Sequence, residues 1–208
     1  MHRRWLANVP DSFKSRIQET GKSPTGFNNK ALFAACDAAT ASPGASLAIK
    51  LPPRLVSDQM VNVFFQEWAP LFPVLHQPTF LQLYADFVAN PESVKEQQSI
   101  AQLQLVFAIA ALSTEANSQD VQSFEVHGLT ALQNIVSENT FGTLQCLLLA
   151  QIYCINKADY KKLLYYTGIA VNLSYRLGLH QNQKRFSLGT LTHELRKRVF
   201  WTLYTLDW

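Results

Sequence analysis

The segment from Phe64 to Phe80 restricts the fold of this chain more than any other part of the sequence. Its seventeen residues, FFQEWAPLFPVLHQPTF, are mostly apolar but include three prolines. Because proline fixes φ and lacks a backbone N–H, no regular helix or strand continues through this spacing. A segment this apolar is also unsuited to a solvated loop. We predict one helix ending near Trp68, a buried extended connector that forms part of the core, and a second helix opening at or near Pro78, where proline fits a first turn.

Helical patterns fill most of the sequence from residue 55 onward. The runs IAQLQLVFAIAAL and TLQCLLLAQIYCIN are apolar on nearly every side, which predicts two central buried helices. Narrower apolar stripes predict helices over 79–90, 118–137 and 159–177, and a last one from Thr190 or Thr192. No segment alternates with period two for long enough to form a sheet. The prediction is an all-α, irregular multi-helix domain of about seven or eight helices, packed as antiparallel neighbours.

Two glycines lie at informative positions in these helices. Gly178 directly follows the stripe over 159–177, where a left-handed residue commonly ends a helix. Gly128 lies inside the stripe over 118–137 and is a candidate for a kink. We therefore expect one helix to end at Gly178 and another to bend at Gly128.

Composition divides the chain near Pro52 and Pro53. Residues 1–51 are predicted to be a poorly structured basic segment and linker, with short helices at 11–20 and 31–41, and residues 52–208 form the main domain. Residues 1–30 carry six Lys or Arg and two Asp or Glu, whereas residues 31–208 carry twelve and thirteen. The net charges are therefore +4 and −1, so the main domain is not a basic DNA-binding body.

The cysteines and the apolar runs restrict the compartment. The three cysteines, Cys36, Cys146 and Cys154, are odd in number and widely spaced, which favours a reducing compartment over a disulfide framework. We expect Cys146 and Cys154 to behave as small buried hydrophobes. The apolar runs are too short to span a bilayer, and no signal peptide is visible, so no membrane partner is predicted.

Motifs that carry catalytic chemistry are missing from the sequence. It contains no Gly-rich phosphate loop, no G-x-S-x-G elbow and no C-x-x-C pair. His193 and Glu194 begin like a zinc-protease helix, but Lys197 stands where the second histidine ligand would be. We predict no catalytic, metal-ligating or cofactor-binding residue and no enzyme activity. A protein-interaction adaptor and a small helical enzyme remain the alternative classes.

Arg196, Lys197 and Arg198 form the densest charge run. Three consecutive helical residues spread over about 300° around the axis, so they cannot all face one phosphate. Arg198 is expected to pair with Glu194, and Arg196 could reach Asp207 only if the neighbouring chain allows it. An ion-pair lattice on the helix surface is favoured over nucleic-acid contact.

Two segments of this sequence resemble one known family. PLFPVLHQPTF near the connector, and AVNLSYRLGLH followed by HELRKRVFWTLYTLD, resemble signatures of the fungal-specific transcription factor domain. This domain is the middle homology region downstream of the Zn2Cys6 cluster in fungal regulators. The resemblance covers about residues 52–208, with Lys197 in place of an arginine. The positions that match the family signatures, and to which it implies structural or regulatory roles, are Pro70, Leu71, Phe72, Pro73, His76, Pro78, Phe80, Gly178, His180, Glu194, Arg196, Arg198, Phe200, Trp201, Tyr204 and Asp207.

The resemblance implies a regulatory domain of a nuclear transcription factor. The Zn2Cys6 cluster needs six cysteines and this chain has three, so DNA binding and zinc binding would reside in a cluster absent from this chain, which then has no cofactor of its own. Protein partners of the transcription machinery and a small-molecule effector are expected. Residues 51–92 resemble most the regulators of acetate and other non-fermentable carbon use. Because the family domain continues for many residues, we expect the domain to be incomplete at its C-terminus, and marginally stable for that reason.

Overall fold

A computed structural model of the chain describes residues 52–91, 94–114, 118–181 and 189–207. The predictions for residues 1–51, including Cys36, lie outside these ranges. Within them the regular elements are helices, which confirms the all-α prediction. They are α1 (Arg54–Val63), a π-helical turn (Phe64–Trp68), α2 (Gln77–Ala89), α3 (Gln97–Ser113), α4 (Ser118–Ile135), α5 (Phe141–Lys157), α6 (Tyr160–Arg176) and α7 (Thr190–Asp207).

The core is built around α3 and α5, the two helices predicted to be central. Residues 101–111 of α3 and 142–154 of α5 are buried without exception. Helix α3 packs on α1, α4 and α5, and α5 packs in turn on α6. Because each buried Leu, Ile or Phe side chain contributes about 1.5–3 kcal/mol, these two helices supply much of the stabilisation of the described domain.

The connector is organised as predicted at its ends but not throughout. Helix α1 continues into the π-helical turn, which ends at Trp68, and the Trp68 indole N–H donates to Ser113 Oγ at 2.8 Å. Helix α2 begins at Gln77 with Pro78 in its first turn. Val74 is fully buried, but Leu71 is 68% exposed. The prediction of a wholly buried connector is therefore wrong at Leu71, which lies in the turn that follows the π-helical segment.

Left-handed residues end two of the helices. Gly178 has φ 67°, its N–H donates to the Tyr175 carbonyl at 3.0 Å, and the Leu179 N–H donates to the Ser174 carbonyl at 3.1 Å. This is a Schellman cap and confirms the predicted end of α6. Helix α5 ends in the same way at Ala158, whose φ of 58° is unfavourable for a residue with a Cβ. No residue pattern around Ala158 predicts this left-handed alanine.

Gly128 and the two described cysteines are packing residues. Helix α4 runs through Gly128 without interruption, and a Cβ at this position would lie 3.1 Å from Leu105 Cγ. The glycine thus lets α4 approach α3 closely, a role different from the expected kink. Cys146 and Cys154 are buried free thiols, as predicted, and burial raises the pKa of each to about 12. None of the helices in the described ranges is both long and apolar enough to cross a membrane.

Candidate functional site

The two segments that carry the family signatures face each other across a cleft of about 450 Å³. One wall is formed by the proline-rich connector and the other by the first turns of α7. Residues far apart in the sequence therefore form one site. Of the predicted positions, those that line the cleft are Pro70, Pro73, His76, Pro78, Glu194 and Arg198.

The connector wall is fixed by contacts with the core. Gln145, on α5, donates its side-chain N–H to the Val74 carbonyl at 2.8 Å. His76 Nδ1 is hydrogen-bonded to Thr79 Oγ1 at 2.8 Å across the first turn of α2. Phe80 is buried, and its ring lies 5.4 Å from that of Phe65. The wall is therefore preorganised by polar and aromatic contacts on both sides of the prolines.

On the α7 wall, Glu194 and Arg198 form the predicted ion pair, with Nε and Oε1 3.1 Å apart. Both side chains are about half exposed, so the pair contributes only about 0.3–0.5 kcal/mol. The ion-pair lattice expected for the charge run is thus seen at Arg198, while Lys197 is exposed.

Arg196 has a different partner from the one predicted. Its Nη2 donates to the Leu177 carbonyl at 2.8 Å, and its guanidinium lies 5.7 Å from the centre of the Phe141 ring. Burial lowers the pKa of Arg196, which remains a cation. The suggested contact with Asp207 is wrong, because eleven residues along one helix correspond to about 16 Å.

Through Arg196, the two parts of the second signature form one structural unit. The carbonyl that it contacts belongs to the C-terminal end of α6, where a cation is favourable. The next residue is Gly178, and the ring of His180 lies 5.0 Å from that of Tyr175. Arg196 therefore holds α7 against the end of α6 and against the start of α5 at Phe141.

The remaining predicted positions do not line the cleft. Phe72 is half-buried and stacks on Trp68 with ring centres 6.5 Å apart. On α7, Phe200 is half-buried, whereas Trp201 and Tyr204 are 54% and 50% exposed. Asp207 is exposed at the end of the helix. The functional roles implied for all sixteen positions remain predictions.

A second cavity of about 820 Å³, which was not predicted from the sequence, adjoins the cleft. Its walls come from α2, α3 and the first turns of α5 and α7. Four glutamines line it together with apolar side chains: Gln82, Gln98, Gln102 and Gln145. The signal in the sequence was Gln102 and Gln145, which lie inside two otherwise apolar helical runs and need hydrogen-bond partners when buried.

A charge cluster with a buried carboxylate joins α4, α5 and α6 and was also not predicted. Glu125 is 8% exposed, and its carboxylate oxygens lie 2.5 Å from Lys157 Nζ and 3.3 Å from Lys162 Nζ. Burial alone would raise the pKa of Glu125, but the hydrogen bond from Lys157 and the two ammonium charges outweigh it, so the pKa is lowered. Within the described residues, no group of three His, Cys, Asp or Glu side chains is arranged to hold a metal ion.

The comparisons with known proteins agree on one family. The family profile described as "Fungal specific transcription factor domain" matches residues 61–208. The chain is 54% identical over 199 residues to the transcriptional activator protein acu-15 of Neurospora crassa. The aligned region covers 95% of this chain and 22% of the relative. No solved structure matches the chain.

More distant relatives carry related names. Cutinase transcription factor 1 alpha of Fusarium vanettenii is 26% identical over 77% of this chain and 18% of its own length. The Zn(2)-C6 fungal-type transcription factor mpsB of Macrophomina phaseolina is 22% identical over 97% of this chain and 30% of its own length. The chain thus spans less than a third of the length of each of these relatives.

Proposed function

Since the chain belongs to the fungal-specific transcription factor domain family, we propose that it is the regulatory domain of a zinc-cluster transcription factor. The domain regulates transcription by modulating an activator, and it has no catalytic role. DNA and zinc are bound by a zinc cluster outside this chain, and the protein acts in the nucleus. The net charge of −1 over residues 31–208 supports this division, because a DNA-binding surface requires an excess of cations.

The cleft between the two signature segments is the observation that carries the proposal. Its walls belong to elements that are separate in sequence, and α7 is joined to the rest of the domain by the buried side chains of Val199 and Leu203 and by the contacts of Arg196 with Leu177 and Phe141. The first turns of α7 line the cleft, so a ligand or a partner protein bound there would contact both walls and strengthen their packing. We propose that the domain exists in two states that differ in how α7 lies against the connector, and that partners shift this equilibrium.

The regulated genes are proposed to be those of carbon-source use. Support comes from the resemblance of residues 51–92 to regulators of acetate and non-fermentable carbon use, and from the high identity to the transcriptional activator acu-15. The activator's output is then expected to change with the carbon source, and this domain to be the part that causes the change.

A reporter assay tests the proposal. The 208-residue chain is fused in yeast between a heterologous DNA-binding domain and a constitutive activation domain, and reporter output is measured on glucose and on acetate. We expect output to differ between the two carbon sources by several fold, and Arg196→Ala to reduce that difference. Lys197→Ala, at the exposed neighbouring position, is the matched control. Equal output on both carbon sources, with equal protein levels, would refute the proposal.

A further inference from the structure

The cavity of about 820 Å³ beside the cleft has the dimensions of a small-molecule site. Such sites typically measure about 300–1,000 Å³. The cavity shares Leu75, His76 and Leu195 with the cleft, so its occupant would contact both the connector and α7. Phe80 and Phe141 give it apolar walls.

Buried polar groups in this cavity are held in defined positions. Ser99, Gln102 and Gln145 are each less than 10% exposed and line it. Ser99 Oγ donates to Glu96 Oε2 at 2.8 Å, and the amide of Gln145 is oriented by its bond to the connector. Buried amide and hydroxyl groups of this kind can recognise a polar ligand group because each can donate or accept a hydrogen bond.

Gly142 provides the space for a further amide. A Cβ at this position would lie 1.9 Å from Gln98 Cδ, so the side chain of Gln98 occupies the volume that any larger residue would fill. The glycine is in the first turn of α5, two residues after the N-cap Thr140. The close approach places the Gln98 amide beside the backbone of that turn and at the cavity wall.

The charged residues that line the cavity favour a ligand with a positive charge. Asp86 and Glu96 line it, and its described lining includes no Lys or Arg. Asp86 accepts a hydrogen bond from Gln82 at 3.1 Å, but across the described ranges neither carboxylate forms an ion pair. Both residues are exposed, so their carboxylates act through solvent, and together they attract positive charge and repel anions.

We propose that this cavity binds a small organic ammonium compound with an apolar body. The ammonium group lies near Asp86 and Glu96, the body packs between Phe80, Phe141 and Leu195, and the amides accept and donate the remaining hydrogen bonds. Binding depends only on the cavity, whereas its consequence for transcription rests on the proposed function. Because the ligand contacts the connector and α7 together, it stabilises the state in which they are packed.

Three probes with the same ring test the charge preference. Tyramine is a cation at pH 7, tyrosol is neutral and 4-hydroxyphenylacetate is an anion. Each is titrated into the 208-residue chain by isothermal calorimetry. We expect tyramine to bind about tenfold or more tightly than the anion, with tyrosol between them. Absence of tyramine binding to the folded chain, or equal binding of the anion, would overturn the proposal.

Matched variants locate the binding. Asp86→Asn combined with Glu96→Gln should weaken tyramine binding about tenfold and leave tyrosol unaffected, whereas Asp120→Asn, outside the cavity, should change neither. Thr192→Trp should fill the cavity and abolish binding, and Thr190→Trp should not. Far-UV circular dichroism verifies that each variant is folded. Unchanged tyramine affinity in the Asp86→Asn, Glu96→Gln variant would contradict the proposed ligand site. The proposed regulatory function is tested separately, because carbon-source dependence in the reporter assay would still support it.

Discussion

Arg196 provides the sharpest test of how α7 is held in place. Replacing it with alanine removes one hydrogen bond from a cation to the Leu177 carbonyl and the contact of its guanidinium with Phe141. A hydrogen bond to a charged group contributes about 1.5–3 kcal/mol, and a cation–π contact about 0.5–1 kcal/mol at an exposed site. Because Arg196 is only partly buried, we take the lower values and expect Arg196→Ala to cost about 2 kcal/mol.

Urea unfolding of the 208-residue chain, followed by circular dichroism and tryptophan fluorescence, measures this loss. The corresponding decrease in Tm is about 4–8 °C for a domain of this size. Arg196→Lys keeps the charge but has no guanidinium fork, so we expect it to restore only part of the stability. Arg198→Ala, which removes the half-exposed pair with Glu194, should cost no more than about 0.5 kcal/mol. Equal losses for Arg196→Ala and Arg198→Ala would refute the account.

Three further predictions concern the charge cluster and the helix packing. The pKa of Glu125 is lowered from 4.5, so its carboxylate stabilises the fold above that pH, and this stabilisation is lost as the pH falls. Glu125→Gln removes the titrating group. The variant should therefore show a smaller decrease in Tm at acidic pH than the unchanged chain. Ala158→Gly should relieve the left-handed strain and raise stability by about 0.5–1 kcal/mol in urea, whereas Gly178→Ala should lower it by about 1 kcal/mol. Gly128→Ala should lower the urea midpoint, because overpacking against Leu105 costs about 1–3 kcal/mol and exceeds the gain in helix propensity of about 1 kcal/mol.

Features of the fold that depend on local sequence could be predicted. The apolar runs of α3 and α5 identify buried helices because no polar face remains to meet water. Pro78 and Gly178 locate a helix start and a helix end because each residue has a specific backbone preference. Leu71 shows the limit of this reasoning, since its exposure is set by the turn after the π-helical segment and not by its hydrophobicity.

Features that depend on contacts between distant residues could not be predicted. The partner of Arg196 is a backbone carbonyl nineteen residues earlier, and every residue has a carbonyl. Glu125 meets lysines from two other helices, so its burial appears only when α4, α5 and α6 are packed. Gln102 and Gln145 of the second cavity occupy positions that periodicity assigns to the core. That they line the same cavity can be seen only in the tertiary structure.

A segment exchange in Neurospora crassa tests the central claim most directly. The part of the acu-15 activator that matches this chain is replaced by the chain, and transcripts of the genes that depend on the activator are measured. We predict that the exchanged protein restores these transcripts. The same exchange with Arg196→Ala should restore them to a lower level than the unchanged chain at temperatures up to 37 °C. If the exchanged protein accumulates to the normal level in the nucleus but leaves the transcripts as low as in a deletion strain, the chain is not a regulatory domain of this kind.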